Sequence, residues 1–232
     1  MEKDKNKQPP IGMKIGESVF CAGYLIFAFC SAVILFTRIG GIDRIYDEYC
    51  FFAGIMIMFL AFGDSFHLIP RIIRNLRGSL NRSELYLGIG NLISSVTMTV
   101  FYVLMYFVVS FKNGLGASDL FDYVVLLSLD LLAVVRVCLC LVPANRWFDG
   151  VGSLKWGIMR NVPFVVMGIL MVAWLIYRSV LYGWNMYLLA VLIVLSFAFY
   201  IPVVLFAKKK PAVGMLMIPK TICYIVMICL FL

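Results

Sequence analysis

The stretch Gly63-Asp64-Ser65-Phe66-His67-Leu68-Ile69-Pro70-Arg71 carries an acid, an imidazole and a guanidinium at spacings of three and four residues. Residues so spaced share one face of a helix, so Asp64, His67 and Arg71 form a line. A carboxylic acid beside the chain's single histidine can do general acid–base work, and a guanidinium can hold an anionic head group. Their surroundings are apolar. A charge at the centre of a membrane helix costs at least about 2.5–3.5 kcal/mol on insertion scales, so such charges are usually paired or functional. Asp130, Arg136 and Lys220 also fall within apolar stretches, and Glu17 lies near the start of the first one. Asp64, His67 and Asp130 are therefore the candidate catalytic residues. Arg71, Arg136, Lys220 and Asn91 are the candidate ligand-binding residues.

Each has a structural alternative. A buried Asp64 can simply pair with a cation from another helix, and Arg71 can snorkel to the interface. Asn91 opens a polar run with Ser94, Ser95, Thr97 and Thr99, and small hydroxylated residues commonly serve helix packing. Asp130 and Arg136 are six residues apart, on different faces of one helix, so each is expected to meet a different neighbour. Lys220 is expected to pair with Asp130 or Asp64. At 1.5 Å per residue, Asp64, Arg136 and Lys220 lie about 8, 10 and 13 Å from one end of their segments. They share one half of the bilayer.

The elements that must position these residues are membrane helices. Of the 232 residues, 63% are hydrophobic and 14% charged, against about 45–50% and 25% in soluble domains. A crossing needs roughly 20 apolar residues, and seven such stretches are present. They run Ile15–Phe36, Cys50–Ile69, Tyr86–Ser110, Leu120–Val142, Gly157–Tyr177, Asn185–Phe206 and Ala212–Leu232. The first is too long for a signal-peptide core and has no A-x-A-like cleavage site, so it is expected to remain as a helix. The fold class is thus all-α, a polytopic membrane protein of seven transmembrane helices. Residues 1–14 form a polar cytoplasmic tail and residues 15–232 the transmembrane domain.

Counting Lys and Arg orients the chain. The tail and the 2–3, 4–5 and 6–7 connectors carry fourteen, against four (Arg38, Arg44, Lys112 and Arg178) on the other side. By the positive-inside rule this predicts N-in, C-out topology in the cell membrane. It also accounts for the net charge of +8 without nucleic acid as a partner. The seven cysteines are scattered without a Cys-x-x-Cys, so no metal site or cofactor is expected, and they read as small buried hydrophobes.

The segment FLAFGDSFHLIPR, Phe59–Arg71, resembles a motif of the lysoplasmalogenase family, membrane proteins that hydrolyse alkenyl ether lipids. Gly63-Asp64 followed by Leu68-Ile69-Pro70-Arg71 matches in order and spacing, and the next helix opens with Gly88 and Gly90. The resemblance implies that Asp64 is one of two acidic catalytic groups, that membrane lipid is the partner and that a lysolipid is the substrate. The pattern departs from the family in having seven helices rather than eight. It also has Ser196-Phe197 where a second acid follows a serine. A small-molecule transporter or non-catalytic ligand-binding protein is the alternative, since intramembrane charges and Pro163, Pro202 and Pro219 also suit broken helices lining a cavity. Retinal binding at Lys220 is disfavoured, because the third helix offers no acidic counterion.

Overall fold

With no water in hydrocarbon, a spanning segment must satisfy its backbone polar groups internally, and apolar runs of this length do so as helices. The computed structural model describes residues 11–41, 43–77, 83–113, 119–148, 153–207 and 211–232. In chain order the α-helices are α1 (Ile11–Thr37), α2 (Arg44–Arg77), α3 (Ser83–Lys112), α4 (Leu120–Leu141), α5 (Leu154–Tyr182), α6 (Tyr187–Phe206) and α7 (Met217–Phe231). Short 3-10 turns occupy Pro143–Asn145 and Pro211–Leu216. Among the described residues there is no strand, and seven helices are long and apolar enough to cross a membrane. The seventh reaches that length with part of its leading 3-10 turn, over Val213–Phe231.

Each helix packs on the next, α1 closes the ring against α7, and α3 also touches α5. The core between them is built from residues such as Ala28, Ile57, Tyr102, Met105, Met167, Trp174 and Met227, all fully or nearly fully buried. One end of the bundle is tied by carbonyls at the end of α7. Tyr49 donates to the Phe231 carbonyl at 2.6 Å, Arg38 donates to that of Leu232, and Lys112 donates to that of Leu230. The ends of α1, α3 and α7 and the start of α2 therefore gather at this end. The opposite end collects the start of α1 and the Arg71–Arg77 turns of α2.

Several boundaries differ from those read from sequence. Residues 11–14 of the expected tail are the first turn of α1, while residues 1–10 lie outside the described residues, as do Arg82 and residues 208–210. The largest difference is α2, which has 34 residues and continues through Pro70 to Arg77, where a connector was expected. At 1.5 Å per residue α2 is about 51 Å long, well beyond the roughly 30 Å hydrocarbon core, so it tilts or protrudes. Proline inside a helix removes a backbone donor and leaves the carbonyl four residues back without it. Here that carbonyl belongs to Phe66, and it faces Gly90 of α3, where a Cβ would sit 2.5 Å from the oxygen. Arg178 is likewise not in a connector but buried in the last turns of α5.

Candidate functional site

Close approach of α2 and α3 comes first, because it sets the wall that carries Asp64 and His67. Gly63 lies against the Thr97 side chain, and Gly90 lies against the backbone of Phe66 and His67. A Cβ at either position would strike its neighbour. Small residues of this kind let membrane helices pack backbone to backbone. The result places Asp64 where two hydroxyls reach it. Tyr24 of α1 donates to its Oδ2 at 2.8 Å, and Ser94 of α3 approaches Oδ1 at 3.4 Å. His67 Nδ1 stands 4.0 Å from Asp64 Oδ1 and has no hydrogen-bond partner among the described residues. One turn on, Arg71 pairs with Glu17 of α1 at 2.6 Å, and Asn75 donates to the same carboxylate at 3.2 Å.

These residues form one wall of a recess of about 360 Å³ at the end of the bundle opposite the α7 carbonyls. Asp64, His67, Arg71, Arg74, Asn91, Ser94 and Ser95 line it from α2 and α3. Arg136 comes from α4, Arg160 and Phe164 from α5, Tyr200 from α6 and Lys220 from α7. Arg136 is 1% exposed, stacks over the Phe164 ring at 3.4 Å, and among the described residues has no hydrogen-bond partner for Nε or Nη1. Lys220 is 8% exposed and sits 4.7 and 5.1 Å from the Tyr200 and Tyr224 ring centres. The ion pair expected between Lys220 and Asp64 or Asp130 is not formed. Lys220 shares the recess with Asp64, and its near contacts are aromatic faces.

Arg160, one of the fourteen cations of the positive-inside count, reaches the recess because of a local turn. Asn145 Nδ2 caps carbonyls at the end of α4, donating to Leu139 at 2.7 Å and Val142 at 2.9 Å. Its Oδ1 then accepts from Arg160 at 2.8 Å, and the guanidinium lies 4.0 Å from the Trp147 ring centre. Such a turn, closing over 15 residues between two helices, leaves no periodic signal in the sequence.

Among the described residues the lining thus holds five cations and one carboxylate, Asp64. Glu17 neutralises Arg71 from outside it. Three positive charges remain in surplus, and Gly214 of the 3-10 turn and Met217, the first residue of α7, also line this space. Such an arrangement is chemically suited to an anion. Asp130 is not part of it. It is exposed on the outer face of α4: residues six apart point about 120° from each other, and α4 turns Arg136 into the bundle. The other candidates, Asp64, His67, Arg71, Asn91, Arg136 and Lys220, line one recess.

A second polar cluster lies at the far end. Asp122, fully buried in the first turn of α4, accepts from Arg178 Nε at 2.9 Å and from Trp174 Nε1 at 2.8 Å, and a second Arg178 nitrogen closes the pair. Asp119 stands 3.7 Å from the same guanidinium and accepts from Tyr182. These ion pairs and hydrogen bonds run between α5 and the start of α4, so the cluster ties those two helices together, and Tyr106 of α3 joins it by donating to the Asp122 carbonyl at 3.2 Å. An acid in the first turn of an apolar helix, with an arginine in the last turns of the next, was the available signal.

No protein family, curated protein or solved structure matches this chain. Its class rests on the seven helices: a multi-pass membrane protein.

Proposed function

We propose that the recess is an anion-binding site for the head group of a phosphate-bearing lysolipid, and that it opens to the cytoplasmic side. The observation that carries this reading is the pair Arg136 and Lys220, both buried and neither within ion-pairing distance of a carboxylate among the described residues. Burying a charge without a partner costs several kcal/mol, so a ligand that brings negative charge gains what the protein alone forgoes. The side is assigned by the positive-inside count, which puts the Arg71–Arg77 end in the cytoplasm. A reporter fused after Leu232 that reads as cytoplasmic would overturn that assignment.

The chemistry we propose is hydrolysis of an alkenyl ether, as in the lysoplasmalogenases that Phe59–Arg71 resembles. Asp64 protonates the outer vinyl carbon, and the ether oxygen's lone pair stabilises the cation that forms on the carbon attached to it. Water adds there, aided by His67, to give a hemiacetal that collapses to a free aldehyde and the chain-free glycerophosphate head group, whose hydroxyl is the leaving alcohol. One water is consumed and the proton returns to Asp64. Aldehyde release from a 1-alkenyl lysophospholipid by the purified protein tests this. Asp64→Asn should abolish release while leaving thermal stability close to wild type.

A second reading is a carrier or binding protein without catalysis. It is favoured by Asp64 being the single carboxylate in the lining among the described residues, with Ser196-Phe197 where the resemblance implies a second acid. Under it, the phosphate-bearing lipid binds, no aldehyde appears, and flux in proteoliposomes is the positive result.

A further inference from the structure

The recess does not end at its polar lining. Tyr200 and Val204 of α6 belong to it and also to an apolar groove of about 220 Å³ between α5 and α6. Val162, Val165, Val166, Ile201 and Leu205 form the rest of that groove with Ile158, and its polar side chains, Asn161 and Tyr200, satisfy each other, the Tyr200 hydroxyl donating to Asn161 Oδ1 at 2.9 Å. Val165 and Ile201 in turn belong to a second apolar hollow of about 520 Å³, which runs on past Gly168 to Val194. The path from Val204 to Val194 covers ten residues of α6, about 15 Å, which is half of a roughly 30 Å hydrocarbon core. Gly168 accepts the Phe197 ring against its backbone, so the two helices touch at the floor while their outer edges stay parted. Pro163 and Pro202 lie inside these same two helices.

We infer that this groove holds the single hydrocarbon chain of the lipid whose head group occupies the recess, and that the ligand enters sideways from the bilayer between α5 and α6. The inference rests on the anion-binding reading above and extends it to the substrate class: a one-chain amphiphile with a phosphate head. Continuity carries the argument. A cationic chamber and an apolar slot of one-leaflet length share Tyr200 and Val204, so a molecule with both chemistries spans them without crossing water. Among the described residues this slot adjoins the recess, and its length along α6 matches a chain that spans one leaflet.

The test uses the purified protein in lipid vesicles with two photoreactive probes of equal chain length, each carrying a diazirine on the chain. One is a lysophosphatidic acid and the other an uncharged monoacylglycerol. Labelled peptides are mapped by mass spectrometry, and glycerol 3-phosphate is tested separately for thermal stabilisation. The lysophosphatidic acid should label residues 158–166 and 200–205 above the other lipid-facing segments, and the monoacylglycerol should show no such focus. Val165→Trp or Ile201→Trp should remove the focus yet keep stabilisation by glycerol 3-phosphate, because the recess is untouched. Even labelling of all helices by the lysophosphatidic acid in the wild type, with glycerol 3-phosphate still stabilising, overturns the groove alone. Absence of any stabilisation by glycerol 3-phosphate overturns the recess reading, and the groove proposal falls with it. The wild-type comparison of the two probes decides even where a tryptophan variant does not fold.

Discussion

Replacing Arg136 by Met separates an anion site from a structural ion pair, because the two make opposite demands. The guanidinium is buried, rests on the Phe164 ring and faces the recess with Nε and Nη1 unpartnered. In the ligand-free protein its removal relieves a buried charge that costs several kcal/mol. What is lost is the contact with Phe164, about 0.5–2 kcal/mol for a cation over a ring, and methionine sulfur recovers part of that against the same ring. The ligand-free variant should therefore melt no lower than wild type. Binding should respond in the other direction. A hydrogen bond to a charged group contributes about 1.5–3 kcal/mol, so Kd for glycerol 3-phosphate should rise about 10- to 150-fold. At a ligand concentration of about 100 times the wild-type Kd, stabilisation is about 2.7 kcal/mol. With the weakened Kd it should fall to about 0.3–1.4 kcal/mol. Thermal unfolding in detergent, with and without glycerol 3-phosphate, reads both quantities. The reasoning is refuted if the ligand-free variant loses about 3–5 kcal/mol, the cost of breaking a buried pair, and keeps its full response to the ligand.

Three further outcomes follow from other contacts. Asp122→Asn or Arg178→Met alone should cost about 3–5 kcal/mol, and the double neutral variant should recover most of it. Chemical denaturation of the three variants checks this. Gly90→Leu should cost about 1–3 kcal/mol by forcing α3 off the Phe66–His67 backbone, and should also remove stabilisation by glycerol 3-phosphate. Gly23→Ala, which meets nothing within 4 Å, should do neither in the same thermal assay. Asp130→Asn should leave aldehyde release and ligand stabilisation unchanged, since the carboxylate lies on the outer face of α4 away from the recess.

Much of the fold was legible because lipid imposes a crude requirement: about 20 apolar residues per crossing, in helices. Seven such runs stand out without any knowledge of packing. The ends were not legible, and α2 shows why. Pro70 followed by Arg71 reads as a stop, yet α3 leaves space for the Phe66 carbonyl through Gly90, a contact between residues 24 apart that no window along the chain contains. The site was partly legible for the same reason the fold was. Charges in apolar runs are so costly that Asp64, Arg136 and Lys220 announce themselves. What they would face was not. Tyr24 meets Asp64 across 40 residues, and Glu17 takes Arg71, which removes the cation nearest to Asp64 along the helix. Arg178 looked like a connector cation because it ends an apolar run, and only the fold shows Asp122 beside it. The burial of Arg136 and the outward position of Asp130 depend on the rotation of α4 about its axis. An apolar helix with residues of every size on all faces does not reveal that rotation in its sequence.

The most direct test is an experimental structure of the Asp64→Asn protein with a 1-alkenyl lysophospholipid bound, the substitution preventing turnover without removing a cation. The expected result is the phosphate inside the recess, with its oxygens within hydrogen-bonding distance of the Arg136 guanidinium and Lys220 Nζ. A phosphate found only against exposed cations of the connectors, with Arg136 and Lys220 still facing an unliganded recess, would contradict the account.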